Sequence, residues 1–398
     1  VPLPTVRRSL LPLVFLITVT LLPPFATPAR AQVGRSDLES GVADALERIT
    51  VRSLRGHLFF LASDELQGRD TPSPGLDIAA RYLATQFERI GLEPAGDDGY
   101  FQTSPGWVTD VRDRTYPPRG GGEPRVVPFR PPVPVEQAQN PVGEPYSLRN
   151  VAGILRGSDP ARHDSWILVT AHYDHVGIRS GAYPDSICNG ANDNGSSTVA
   201  LIELAHALMP LRSSLDRSIL FLAVFGEEKG MLGSTWYVNH PLVPLEHTVG
   251  VLNLEQIGRT DGDGGLHEMS ASFTGHDYST LPQFFVRAGE ELGVEVYKHE
   301  QNSDRYFTAS DNGPFARAGI PAHTACTLFS YEGYHQPGDN PDLIDYENMA
   351  RVVRMLALGL IGLATADEVP RWNESLERTA PFIEAWRTLT GGTPPPRP

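Results

Sequence analysis

From residue 149 onward, short unbroken apolar runs alternate with longer runs whose apolar positions recur every three or four residues. NVAGILRG (150–157), WILVTAHYDH (166–175), SILFLAVFGEE (218–228), TVGVLNLEQIG (248–258) and IPAHTACTLF (320–329) are of the first kind. They predict strands covered on both faces. STVALIELAHALM (197–209) and LIDYENMARVVRMLALGLIGLA (343–364) are of the second kind and predict helices. The alternation predicts an α/β layered domain around a mostly parallel sheet. In such sheets ligands gather beyond the carboxyl ends of the strands.

Upstream, residues 36–62 and 74–92 predict helices. In GLDIAARYLATQFERIGL the side chains of Ile78, Tyr82, Leu83, Phe87 and Ile90 fall on one face. Between Pro105 and Pro145 there are ten prolines and a Gly-Gly-Gly run. That composition predicts irregular chain, a surface excursion or a lid, with no core of its own.

The first 31 residues stand apart. Arg7 and Arg8 precede an apolar run broken by Pro12, Pro23 and Pro24, and Ala29-Arg30-Ala31 precedes Gln32. This is the pattern of a secretory signal peptide, too short and too interrupted for a membrane anchor. The expected organisation is a signal peptide (1–31) and a single domain (32–366) carrying a Pro-rich insertion at about 104–147. A C-terminal helix and disordered tail (367–398) follow. The protein is expected to be exported after cleavage near Ala31-Gln32, with no stable membrane insertion.

The leader holds three arginines and no acid, so its loss moves the net charge from −15 to −18. An acidic excess of that size disfavours nucleic acid or an anionic membrane as partner. Cys188 and Cys326 can pair in an oxidising compartment only if their geometry permits, and sequence leaves that open.

The strand ends carry the chemistry. The 166–175 run ends in His172-Tyr173-Asp174-His175, and residues i and i+2 of a strand share a face, so His172 and Asp174 point together. A carboxylate beside an imidazole is how a metal-ligating His is held. The 218–228 run ends in Glu227-Glu228, between Gly226 and Gly230; the 248–258 run carries Glu255. Asp193 lies in the loop that opens the helix at 196, and Ser310-Asp311 and Tyr334-His335 follow. Singly, Asp193 or Asn194 reads as a helix N-cap, Asp311 as a cap of the following turn, and His175, His206, His240 and His323 as ordinary histidines. Jointly, apolar strands that repeatedly end in His and acids call for a cation. Two imidazoles with three or four carboxylates exceed one zinc site and fit two metals sharing a bridging carboxylate. One glutamate must then stay off the metals to handle the proton. The helical HExxH motif, a G-x-S-x-G elbow, a Walker loop and a dinucleotide fingerprint are all absent.

These motifs resemble the secreted dizinc aminopeptidases, a family that includes bacterial leucyl aminopeptidase, glutamate carboxypeptidase II and glutaminyl cyclase. The resemblance runs through LASDELQGRDTPSPG (61–75), RIGLEPAGDDGYFQ (89–102), AHYDHVG (171–177) and GANDNGSSTVALIELA (190–205). It continues through FGEEKGMLGS (225–234), NLEQIGR (253–259), SDNGPFARAGIPA (310–322) and GYHQPGDN (333–340). It implies a three-layer zinc-peptidase fold, with a mixed and mostly parallel central sheet flanked by helices, and two zinc ions per chain. His172, Asp193 and Glu255 would hold one zinc, and Asp193 would bridge to a second held by Glu228 and His335. Glu227 would be the general base, Asp174 the partner of His172, and Tyr334 the residue that steadies the oxyanion. Asp311 would support the site through hydrogen bonds.

Three departures stand out. Glu255 replaces the usual Asp, Asn312 stands where His is common, and the 104–147 segment is too short for the protease-associated domain of many relatives. The resemblance implies an aminopeptidase acting on peptides with a free N-terminus. The alternatives are a single-zinc glutaminyl cyclase, which does not need the intact His172, a carboxypeptidase, and a catalytically silent metal-stabilised binding domain.

Overall fold

The computed structural model describes residues 35–116, 125–179 and 185–392. The expected signal peptide and the last residues of the expected tail lie outside these. Among the described residues a ten-stranded sheet forms the centre. Its order is Glu295–Tyr297, Ser270–Phe273, Ala322–Cys326, Thr248–Glu255, Trp166–His172, Ser218–Val224, Pro141–Leu155, Phe101–Asp110 and Pro132–Pro134, with Glu93–Pro94 added along Pro141–Leu155. The four strands from Ala322–Cys326 to Ser218–Val224 run parallel, and their neighbours on both sides are antiparallel. The sheet is therefore mixed; four of the five predicted strands form its parallel centre, and the fifth, NVAGILRG, lies in the antiparallel strand Pro141–Leu155.

Alternation along these strands feeds two cores. Ile167, Val169, Ala171, Ile219, Phe221 and Ala223 pack on one face, against the helices Val51–Leu61, Pro74–Ile90, Ser197–Leu208 and Tyr346–Thr365. Leu168, Leu220, Leu222 and Val224 pack on the other, with Tyr237, Phe315 and Trp372. Every residue of Trp166–His172 and Ser218–Val224 is buried, which is why both read as unbroken apolar runs.

Local signals set the helix limits. Thr50 accepts the N–H of Ser53 and starts a new helix at Val51, so the predicted 36–62 helix is two, Arg35–Glu47 and Val51–Leu61. Pro74–Ile90 begins on the Ser73 hydroxyl, which accepts the N–H of Leu76, and stops at left-handed Gly91. Its buried face is Leu76, Ala79, Ala80, Leu83, Ala84 and Phe87, whereas Ile78 is 48% exposed. The alanines carry the true face, and counting large side chains alone rotated it.

The proline-rich segment corrects a larger expectation. Its described residues are largely not irregular chain but the strand edge of the main sheet and a separate antiparallel pair, Arg112–Tyr116 and Arg125–Phe129. Prolines are tolerated because of where they sit. Pro105 lies at a register shift between Ser104 and Trp107, Pro132 and Pro134 form the edge strand, and Pro141 opens its strand.

Two further expectations meet the structure here. A C-terminal helix is present at Ala380–Leu389. Cys188 and Cys326 are both buried and both free, so they are not paired.

His323, in the strand Ala322–Cys326, is fully buried between the Thr274 carbonyl oxygen, 2.8 Å from Nδ1, and the Ser279 hydroxyl, 2.6 Å from Nε2. Burial lowers its pKa from 6.5 to about 4. Between these values the unfolded chain binds a proton that the native chain does not, so stability is complete above pH 6.5 and falls as pH drops toward 4. This one group is expected to cost about 2.5 kcal/mol between pH 7 and pH 4.5. Urea midpoints of wild type and His323→Asn at the two pH values test it. The variant should show a smaller pH dependence by that amount, and an identical dependence refutes the assignment.

Candidate metal centre

The register of the parallel strands brings their carboxyl ends level, His172 beside Val224 and Cys326 beside Glu255. The sequence-predicted residues converge there. His172 Nε2 lies 3.5 Å from Asp193 Oδ1 and 3.4 Å from Glu255 Oε2. His335 Nε2 lies 2.9 Å from the other Asp193 oxygen, Oδ2, and 3.2 Å from Glu228 Oε1. One carboxylate, Asp193, thus faces two donor groups with its two oxygens.

Asp174 organises the first group. Its Oδ1 is 3.4 Å from His172 Nδ1 and accepts the Glu227 backbone N–H at 3.2 Å, while Oδ2 accepts the Thr71 hydroxyl at 3.0 Å. It therefore fixes both the His172 ring and the start of the glutamate turn. The chain Thr170, Asn253, Ser310, Glu255 fixes the fifth residue. The Thr170 hydroxyl donates to Asn253 Oδ1 (2.7 Å), Asn253 Nδ2 to Ser310 Oγ (2.9 Å), and the Ser310 hydroxyl to Glu255 Oε1 (2.5 Å). One Glu255 oxygen is thereby occupied and the other faces His172.

The two glutamates sit where strand Ser218–Val224 has ended. Gly226 (φ 68°) and Gly230 (φ 108°) are both left-handed and bracket a single 3-10 turn, Glu227–Lys229. The turn breaks the alternation that would have sent adjacent side chains to opposite faces. Glu228 joins His335, and Glu227 lines the adjoining cavity with His172, Asp193 and Glu255. Tyr334 stacks on the His335 ring at 3.9 Å and lines the same cavity.

The Asp193 loop is anchored by groups that carried no signal in the strand-end argument. Buried Asp339 accepts the backbone N–H groups of Asn192 and Asp193 at 3.0 Å and the Tyr331 hydroxyl at 2.8 Å. Asn194 accepts the Gln256 N–H (3.0 Å) and donates to the Leu254 carbonyl (2.9 Å), joining the loop to the end of strand Thr248–Glu255. Arg69, 1% exposed, donates to the carbonyl oxygens of Tyr173, Asn189 and Gly190, joining the His172 and Asp193 loops from beneath. Asp339 and Arg69 lie in the quoted stretches GYHQPGDN and LQGRD, but nothing in their spacing distinguished them from surface charges.

Other residues fall outside the donor groups. Asp311 accepts the Ser234 hydroxyl, and its N–H donates to Ser310 Oγ at 2.6 Å. It supports the site through Ser310, and burial raises its pKa to about 7. Asn312 donates to the carbonyls of Phe307 and Ala322 and accepts the Thr324 hydroxyl, an entirely structural set. His175, read from sequence as ordinary, is fully buried, with Nδ1 3.0 Å from Glu228 Oε1 and 3.9 Å from Asp193 Oδ2. Its position three residues past His172 was the available signal. The strand ends at His172, so face alternation does not govern it.

The electrostatics match a cation site. Burial and Asp193 push Glu228 up, but hydrogen bonds from His175 and His335 outweigh them and bring it to about 2. Burial alone would lower His335, yet bonding to Asp193 and Glu228 holds it at about 9. Burial pushes Glu227 well above the usual carboxylate range, with Glu255, Asp311 and Glu228 adding repulsion. Without a metal, protons on the imidazoles balance the acids, and those are the protons a metal displaces. Asp193 Oδ2 is buried without a well-formed hydrogen bond, and the imidazole-carboxylate set is the donor chemistry of zinc. These residues fit zinc.

Residues 150–359 match peptidase family M28. Aminopeptidase YwaD of Bacillus subtilis (strain 168) is 26% identical over 229 residues, which is 56% of this chain and 46% of that one. The chain spans about half the length of the curated relatives it matches. Among solved structures, the aminopeptidase from Aneurinibacillus sp. strain AM-1 superposes with a TM-score of 0.58 at 16% identity, over 84% of this chain and 97% of the other. A glutaminyl cyclase from Bacteroides thetaiotaomicron bound to N-acetylhistamine gives 0.54 at 14% identity, over 80% and 99%. At these identities the likenesses establish the shared three-layer fold and nothing finer. The sequence match is of another kind: it covers more than half of the chain and contains every donor named above, and the chain belongs to peptidase family M28.

Proposed function

We propose that the protein is a two-zinc aminopeptidase that removes residues from the free N-terminus of peptides. The observation that carries the reading is the division of Asp193, with Oδ1 toward His172 and Oδ2 toward His335. His172, Asp193 and Glu255 would hold one zinc, and Asp193, Glu228 and His335 the other. When bound, the pair supplies Lewis acidity toward the scissile carbonyl and lowers the pKa of the attacking water.

The chain's own groups do the rest. Glu227, raised above the ordinary carboxylate range, accepts the proton of the attacking water and delivers it to the departing amine. Asp174 holds Glu227 by its backbone and His172 by its ring, so base and ligand keep one spacing. Tyr334, at the cavity wall, presents its hydroxyl as a donor to the oxyanion. Ser310 holds Glu255 by Oε1, which orients Oε2 toward His172, the oxygen that would serve a bound zinc.

The cavity also favours one polarity of substrate. Its volume is about 260 Å³, and it is lined by Thr274, Tyr306, Leu328, Phe329 and Tyr334 beside the acids. No lysine or arginine is among the described residues that line the cavity, and Arg259 is engaged with Asp261. Among those lining residues a terminal carboxylate meets no counter-charge, whereas a terminal ammonium enters a cavity whose wall carries carboxylates. Free and N-acetylated aminoacyl substrates, assayed with and without chelator, test the reading. Chelator-sensitive cleavage of the free substrates alone is expected. Equal cleavage of the blocked ones refutes aminopeptidase action, and cyclisation of N-terminal glutamine without hydrolysis would move the protein to the cyclase reading.

A further inference from the structure

The second donor group contains one residue more than the proposed ligand set. His175 Nδ1 approaches the same two oxygens as His335 Nε2, Glu228 Oε1 at 3.0 Å and Asp193 Oδ2 at 3.9 Å. His335 reaches them at 3.2 and 2.9 Å. The two imidazoles face each other edge-on, with ring centroids 5.5 Å apart and planes at 79°. Both imidazoles thus approach the same two carboxylate oxygens, and the donor atoms of His175, Asp193 and Glu228 lie within 4.8 Å of one another.

Those separations have a physical meaning. Zinc bonds of about 2.0–2.1 Å in a tetrahedron put neighbouring donors about 3.3 Å apart. Four of the six edges of such a tetrahedron, at 2.9, 3.0, 3.2 and 3.9 Å, scatter around that value. His175 has little freedom to leave. It is fully buried, and its backbone N–H donates to the Arg69 carbonyl at 3.2 Å. Gly190 covers the ring so closely that a Cβ there would come within 2.5 Å of Cγ. Its Nε2 is buried without a partner, so Nδ1 alone of its ring nitrogens meets a polar group.

We infer that His175 is the fourth protein donor of the second zinc, which makes the two sites unequal. The second is closed by His175, Asp193, Glu228 and His335. The first has His172, Asp193 and Glu255, and only these three line the cavity. A site with four protein donors is the structural kind, and a site with three leaves a position for water. The first zinc is then the exchangeable one that meets substrate, and the second is the tightly held one. This rests on the two-zinc reading above.

The test is zinc content under graded chelator, on the full two-zinc chain and on His175→Ala and His175→Asn. Wild type should lose one zinc first and keep the other. Both variants should lose the retained zinc at chelator concentrations at least about 100-fold lower, beyond the upper end of what outer-shell changes cause. Asn keeps an N–H able to donate to Glu228 but is a poor zinc ligand. Retention by the Asn variant alone, or by both variants, would show His175 to be only a hydrogen-bond donor and overturn the inference. Wild type needs no variant for a second readout. Cobalt(II) placed in the tighter site should give the intense visible bands of four-coordinate cobalt, and the weak bands of a six-coordinate ion would also overturn it. A wild-type chain that saturates below two zincs counts against the two-zinc reading itself, a separate result from two zincs indifferent to His175.

Discussion

Glu227→Gln is expected to lower kcat by about 10²–10⁴-fold, the usual worth of a positioned general base, while leaving zinc content unchanged. The side chain keeps its size and loses only the ability to accept a proton. The backbone N–H that Asp174 holds at 3.2 Å survives the change. Nor does Glu227 belong to either donor group, whose closest approaches involve His172, Asp193, Glu228, Glu255 and His335. Glu228→Gln, one residue on, should behave differently. It weakens a donor that faces His335 at 3.2 Å and His175 at 3.0 Å, so zinc and activity fall together. Steady-state kinetics with zinc analysis on the two variants separate the roles. A Glu227→Gln enzyme of near-wild-type turnover, or one emptied of zinc, contradicts the division between the adjacent glutamates.

The convergence of both glutamates on one site was legible in the sequence because two glycines flank the pair. A strand can place neighbours on one site only by ending, and left-handed Gly226 and Gly230 end it. The same logic of strand ends picked out His172 and Glu255, both at the carboxyl limits of central parallel strands. His335 (φ 54°) lies in a loop, where only its motif pointed to it. His175 escaped because burial and facing beyond a strand end depend on how the loop turns, which the Arg69 and Gly190 contacts decide. Asp339 was hidden for a related reason: its partners are backbone N–H groups, and sequence does not mark those. The proline-rich segment misled through composition. Ten prolines argue against a central strand, yet an edge strand, a bulge and a strand start accommodate Pro105, Pro132, Pro134 and Pro141.

The second large effect concerns the metals. Buried carboxylates that share imidazoles need a positive partner, and Asp193, held low by His172 and His335 against its own burial, faces both imidazoles, as the proposed two-zinc reading requires. Stripping zinc should therefore abolish turnover rather than weaken it, with a loss of at least about 10³-fold, because polarisation of the carbonyl and activation of the water vanish together. The fold should persist in the stripped chain. The sheet and its two apolar cores do not pass through the donor groups, and the imidazole protons balance the acids when the ions are gone.

The measurement that tests this most directly is a zinc titration of the stripped full-length chain, recording bound zinc per chain and the rate on a free aminoacyl substrate at each addition. The account predicts negligible hydrolysis at zero zinc, little recovery as the tighter site fills, and full activity as binding reaches two per chain. Hydrolysis at the loaded rate by the metal-free chain, or full activity at a single zinc, would contradict it.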